Sequence, residues 1–197
     1  MPHRSIVLAS ASPRRRELLG QIVENFEILV SNVDEEELTC DDPRLTAERL
    51  AEAKAWAVAE LRPDATVIGA DTVVAYEQDG NFTMLAKPMD EEDAVRMLRE
   101  LSGRTHFVIT GVAVSGVEGT EVFSERTDVE FRELSDKEIR EYVATGEPMD
   151  KAGAYAIQGG AAGFVVRTDG SLSNVIGLPI ERLQQLLESI RSSAQSL

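Results

Sequence analysis

Asp71 closes the run VIGAD, a carboxylate placed directly after an apolar stretch, with Thr72 beside it and VVAY continuing beyond. Such a carboxylate can bind a divalent ion or take a proton from water, and both roles suit phosphoryl chemistry; the plainer reading is a structural Asp bonded to a turn. Ser10-Ala-Ser-Pro-Arg-Arg-Arg lies where a strand gives way to a helix start, so backbone N–H groups and the guanidinium forks of Arg14 and Arg15 converge there. Cations at a helix start oppose its dipole, which favours an anion site over an ordinary capped helix. Three lysines add to this. Lys54 falls within roughly 20° of the centre of an apolar helical stripe, Lys87 precedes Pro88, and Lys151 sits in Glu-Pro-Met-Asp-Lys-Ala-Gly. Each is a compact charge suited to phosphate oxygens, against the alternatives of a snorkelling Lys54 and solvated loop lysines. The acidic loop Ser31-Asn-Val-Asp-Glu-Glu36 offers Glu35 as a partner to Asp71 in holding Mg²⁺, unless it is simply a solvated acidic run. Gln158, before the pair Gly159-Gly160, can read a base edge through its amide where glycines let a planar ligand approach; a plain bulge is the alternative.

These residues need elements to hold them. The stretch from Arg4 to Ser10 around SIVLAS reads as a short buried strand, stopped by Ser-Pro, with Ser12 as N-cap and Pro13 opening a helix. FEILVSNV (Phe26 to Val33) reads as a second strand. The clearest helix spans Leu45 to Leu61, with Ala47, Leu50, Ala51, Val58 and Leu61 on one stripe. Thr66 to Gln78 reads as a strand turning at Asp79-Gly80 into NFTML. Asp90 caps a helix that Gly103 stops, and THFVITGVAV and TEVFSERTDVEFREL read as two longer strands. Ser135 and Glu138 form a capping box. AIQGG ends a strand in a glycine pair, GFVVRTDGSLSNVIG follows, and a helix runs from Pro179 to about Ile190. Strands separated by helices and strands joined by hairpins predict a mixed α/β (α+β) sheet with helices on its faces.

Length and composition bound the possibilities. The 197 residues suffice for one substantial core, which we expect over residues 1–191, with SSAQSL (192–197) a frayed tail. Hydrophobic residues at 43% and charged residues at 28% are globular values and exclude intrinsic disorder. A net charge of −15, without interleaved aromatic and basic residues, argues against nucleic acid and anionic membrane surfaces as partners, so an anionic ligand needs a local basic island. The amino terminus lacks a signal-like apolar stretch and no run could span a bilayer. Cys40 is alone and sits among acids, which blunts a thiol. Cytoplasmic residence is the expectation. His3 and His106 form no metal pair or triad by spacing, and Trp56 lies opposite the apolar stripe.

Taken in order, Leu8-Ala9-Ser10 through SPRRRELL, Gly69-Ala-Asp-Thr-Val-Val74, Lys87-Pro88, Met97-Leu98 through Leu101-Ser-Gly103, GEPMDKAGAYAIQGG and NVIGLP resemble the Maf family of nucleoside triphosphate pyrophosphatases over nearly the whole chain. The resemblance implies an elongated fold with a central cleft, related to the ITP pyrophosphatases and dimeric in many members. It also implies cleavage of a nucleoside triphosphate to monophosphate and pyrophosphate with a divalent cation, Mg²⁺ or Mn²⁺. By position Asp71 matches the family's proton acceptor, and Ser10, Arg14, Arg15, Glu35, Lys54, Lys87 and Lys151 match its polar cleft residues. The branch acting on dTTP and UTP is similar in Ser12 to Arg15, Asp71-Thr72 and Ile157 to Gly159, which gives Arg14, Thr72 and Gln158 the sorting of the base. A branch acting on 7-methyl-GTP has an aromatic residue at Arg14, Gln at Thr72 and Glu at Gln158. Ala86, where Gly is frequent, and Gly160-Ala-Ala162 depart from the pattern and bear on fine preference. The rival expectation is a regulator of septum formation that binds triphosphates without turning them over.

Overall fold

The computed structural model describes residues 5–195, so His3, Arg4 and the last two residues of the SSAQSL tail lie outside the described residues. Strand β1 (Ile6–Leu8) pairs in parallel with β2 (Glu27–Ile28) and with β3 (Thr66–Gln78). The remaining pairings are antiparallel: β3 with β4 (Asn81–Leu85) and β5 (Thr105–Gly116), β5 with β6 (Gly119–Phe131), and β6 with β7 (Val165–Asp169). The order is β2-β1-β3-β5-β6-β7, with β4 also on β3. The hairpin between β3 and β4 turns on Asp79 and Gly80, whose φ values of 53° and 78° are those a two-residue turn requires.

One consequence of this pairing governs everything else. Because β5 occupies one edge of β3, β1 and β4 must share the other; β1 reaches only Ile68 and β4 begins only at Val74. Residues 69–73 of the central strand therefore have no strand neighbour on that edge, and a gap opens there.

Helix α1 (Pro13–Leu19) starts where the sequence predicts, with Ser12 accepting from the Arg15 backbone. Helix α2 (Pro43–Ala59) is capped by Asp42 and covers one face of the sheet. It ends before Leu61, which is exposed instead of continuing the buried stripe. Its approach is close because Gly69 and Gly111 lie beneath it: a Cβ on either would stand 2.3 Å from the backbone oxygen of Ala51 or Ala47. The opposite face carries two apolar lobes. One gathers α1 and α6 (Ile180–Gln195) over Ile68, Ala70, Val112 and Val114; the other gathers α3 (Glu91–Leu101) and α4 (Asp136–Val143) over Val74, Tyr76, Val108 and Val129.

Four expectations change in detail. The segment FEILVSNV contributes only the two exposed residues of β2, since it edges the sheet and buries no full face. AIQGG does not end a strand: it lies between two 3₁₀ turns, Ala152–Ala154 and Gly160–Phe164, because Gly153 and Ala154 take left-handed conformations (φ 69° and 58°) that a strand cannot accommodate. GFVVRTDGSLSNVIG resolves into β7 and a short helix, α5 (Leu172–Ile176). Helix α6 continues to Gln195, past Ile190 and into the segment expected to fray.

Candidate active site

The gap in β3 falls where its apolar rows break. On the two-lobed face Ile68 and Ala70 belong to one lobe and Val74 and Tyr76 to the other, and Thr72 lies between them. On the face under α2, Val67 belongs to one cluster and Val73 and Ala75 to another, with Asp71 between. Two adjacent polar residues thus mark the waist of the molecule on both faces, at the stretch left without a partner strand.

Lys54 reaches this waist from α2. Its Nζ lies 2.5 Å from Asp71 Oδ1 and 2.7 Å from Glu35 Oε1, and its side chain is only 13% exposed. The stripe position of Lys54 did aim the ammonium inward, and the backbone contact over Gly69 beside Ala51 and Ala55 sets its depth. Burial pushes the Glu35 carboxyl upward, but the hydrogen bond from Lys54 and the charges of Lys54, Lys87 and Arg15 outweigh it and hold the group below its usual range. Asp71 gives one oxygen to Lys54, and its Oδ2 has no hydrogen bond among the described residues.

Arg15 enters from the other side of the gap. Its Nε donates to the Gly177 carbonyl (2.9 Å), one terminal nitrogen to Ser10 Oγ (3.3 Å) and the other to Thr72 Oγ1 (3.0 Å). Dehydration lowers its pKa, the charges of Asp71 and Glu35 oppose that shift, and Arg14 reinforces it. The guanidinium nonetheless stays charged. Arg14 also acts on Asp150, whose carboxyl is held low first by its hydrogen bond from Lys151. Lys151 Nζ donates as well to the Glu147 carbonyl at 2.9 Å.

The sequence-predicted residues fall into three groups. The first comprises two contact sets, Lys54 with Asp71 and Glu35, and Arg15 with Ser10 and Thr72, joined by the adjacency of Asp71 and Thr72 in β3 and by the charges of Asp71 and Glu35 acting on Arg15. Arg14 and Lys87 are coupled to it by charge, and Arg14 links it to Lys151. Gln158 stands apart: it is exposed on the turn beside Glu147, whose carboxylate accepts from the Gly160 N–H at 2.9 Å. Thr72, expected to sort the base, accepts a hydrogen bond from Arg15. His106 is buried in an aromatic nest with Tyr155 and Phe131, far from any charge-relay role. Two residues to which the sequence assigns no role, Thr110 and Asn174, the latter opening the run NVIGLP, are both fully buried behind Thr72. A threonine inside the apolar run HFVITGVAV was the available signal.

The family model described as Maf-like protein matches residues 5–190. The chain belongs to the Maf family. Among relatives, a protein of Geobacillus sp. (strain WCH70) named dTTP/UTP pyrophosphatase is 49% identical over 91% of this chain and 94% of its own length. A second protein so named, from Pelotomaculum thermopropionicum, is 50% identical over 94% of this chain and 96% of its own. Among solved structures the Staphylococcus aureus Ham1 protein aligns with a TM-score of 0.53, 17% identity and coverage of 94% and 99%. That last likeness concerns the fold alone, and it bears out the expected mixed sheet flanked by helices. Among the described residues no helix is long and apolar enough to cross a membrane.

Proposed function

We propose that this chain is a nucleoside triphosphate pyrophosphatase acting on dTTP and UTP, releasing monophosphate and pyrophosphate. The observation that carries the reading is the buried ammonium of Lys54 held between Asp71 and Glu35, with the Arg15 guanidinium beside them in an otherwise anionic protein. Names borne by relatives about half identical over most of the chain support it.

The donor set fits a hard divalent ion. Glu35 and Asp71 present carboxylate oxygens to one shared cation, and among the described residues no larger His, Cys, Asp or Glu cluster forms. Mg²⁺ and Mn²⁺ suit one or two carboxylates completed by substrate phosphates and water. Such an ion, when bound, neutralises phosphate charge and polarises the phosphorus–oxygen bonds.

The chain's own residues supply the rest. Arg15, Lys54, Arg14, Lys87 and Lys151 receive the triphosphate, and Ser10 donates to it. Asp71, through its free Oδ2, orients a water and accepts its proton as the water oxygen bonds the α-phosphorus. The bond from that phosphorus to the bridging oxygen breaks, and pyrophosphate leaves against the cations. Arg14 and Gln158 distinguish the base in this reading, which the resemblance of their motifs to the dTTP/UTP branch supports. The test is pyrophosphate release from dTTP, UTP, dCTP and 7-methyl-GTP with Mn²⁺ or Mg²⁺, for wild type and Gln158→Glu. Turnover of dTTP and UTP above the others is expected, with Gln158→Glu eroding that preference. Recovery of every nucleotide intact would instead identify a triphosphate-binding regulator.

A further inference from the structure

Behind the cluster lies a buried hydrogen-bond chain in which every proton can be assigned. Asn174, with no exposed surface, accepts at Oδ1 from the Thr110 N–H (3.1 Å) and donates through Nδ2 to the Val108 carbonyl (3.0 Å) and to Thr127 Oγ1 (2.9 Å). A backbone N–H only donates and a carbonyl only accepts, so the orientation of the amide is fixed. The Thr110 hydroxyl donates to the Asn174 carbonyl at 2.9 Å. Its one proton is thereby used, so the 2.9 Å contact between Thr72 and Thr110 must carry the Thr72 proton. Thr72 then faces Arg15 as an acceptor only, which is what a guanidinium with five donors and no acceptor needs.

The same asparagine governs the second hold on Arg15. It lies in α5, and the residue that follows this helix, Gly177, offers its carbonyl to Arg15 Nε. Both restraints on the guanidinium, through Thr72 and through Gly177, therefore return to Asn174, which is bolted to the interior of β5 and β6. We infer that Thr110 and Asn174 are positioning residues of this enzyme: they orient the Thr72 hydroxyl so that Arg15 is presented to the bound triphosphate in one fixed pose. Neither touches Arg15, and Thr110 reaches it only through Thr72. The inference rests on the pyrophosphatase reading above, and it adds residues that act only through another.

Thr110→Val removes the hydroxyl with little change in shape, leaving the Thr72 proton without its acceptor. We expect kcat/KM for dTTP to fall about tenfold, chiefly through a raised KM. Thr110→Ser, which keeps the hydroxyl, should recover to within about twofold of wild type. The discriminating measurement is a double-mutant cycle with Thr72→Val. If Thr110 acts through Thr72, the double variant is no worse in kcat/KM than Thr72→Val alone, whereas a merely structural role makes the losses add in full. Thermal unfolding of each variant separates stability from activity; should Thr110→Val fail to fold, Thr110→Ala runs through the same cycle. Full additivity, or a folded Thr110→Val variant with unchanged kcat/KM and KM, overturns the inference. An inactive wild type would overturn the pyrophosphatase reading instead.

Discussion

Two groups of titratable side chains, one at the cleft and one in the lobe formed by α3 and α4, solve burial in opposite ways. In the cleft, Lys54 is ion-paired to Asp71 and Glu35, and the charges of both carboxylates act on the Arg15 guanidinium, so that opposite charges compensate lost hydration. In the lobe formed by α3 and α4, His106 is buried against Phe131 and Tyr155; its Nε2 meets the Tyr155 hydroxyl at 2.8 Å, and its Nδ1 has no partner. Dehydration drives the His106 pKa down to about 3, and the distant charge of Asp128 opposes this only weakly. Ionisable groups are buried in both regions, and the difference is whether an opposite charge is within reach. Open backbone edge and paired charge identify the site; burial alone does not.

The sharpest way to break this contrast is to remove the acceptor in the cleft while keeping its shape. Asp71→Asn should lower kcat for dTTP by about a thousandfold, measured as pyrophosphate release, with the thermal midpoint little changed. Near-wild-type turnover by that folded variant would take Asp71 out of the chemistry. The next perturbation tests the geometry that brings the charges together. Gly111, paired directly across from Asp71, has the Ala47 backbone where a Cβ would sit. Gly111→Ala should therefore cost about 1–3 kcal/mol in a denaturant titration, and should lower activity by lifting α2 and Lys54 off Asp71. Unaltered stability and activity would show that the close approach of α2 is dispensable.

The smallest effect belongs to the inert cluster and appears only with pH. His106 binds a proton near pH 6.5 in the unfolded chain but only near 3 when folded. Its contribution is fully present above about pH 6.5 and is lost as pH falls toward 3, with a slope of at most about 1.4 kcal/mol per pH unit. Between pH 7 and 5 the wild type should lose stability more steeply than His106→Phe, while kcat/KM at pH 7 differs by no more than about twofold. Parallel stability curves would mean that the imidazole is hydrated after all.

Much of the site could be read from residue order. The central strand from Thr66 to Gln78, the Ser12 cap, the capping box at Ser135 and the inward turn of Lys54 follow from local pattern, because short-range periodicity and capping chemistry are written within a few residues. Gln158 and its loop were harder. The left-handed pair Gly153-Ala154 depends on packing against Val74, far away in sequence, so AIQGG read as the end of a strand. Thr110 and Asn174 looked like ordinary strand and loop residues for the same reason: their meaning is a set of partners 38 to 66 positions distant.

By itself, the sequence determined which groups could bear charge and which segments would be apolar strands and helices, including a carboxylate and a threonine interrupting the central strand at one point. Only the tertiary structure decided that β1 would pair with β3 no farther than Ile68 and β4 no nearer than Val74, leaving that point open, and that two glycines would let α2 lower Lys54 onto Asp71. The physical reason is that side-chain type and period are local properties, whereas a gap in a sheet and the meeting of opposite charges exist only once separate segments exclude water from one another.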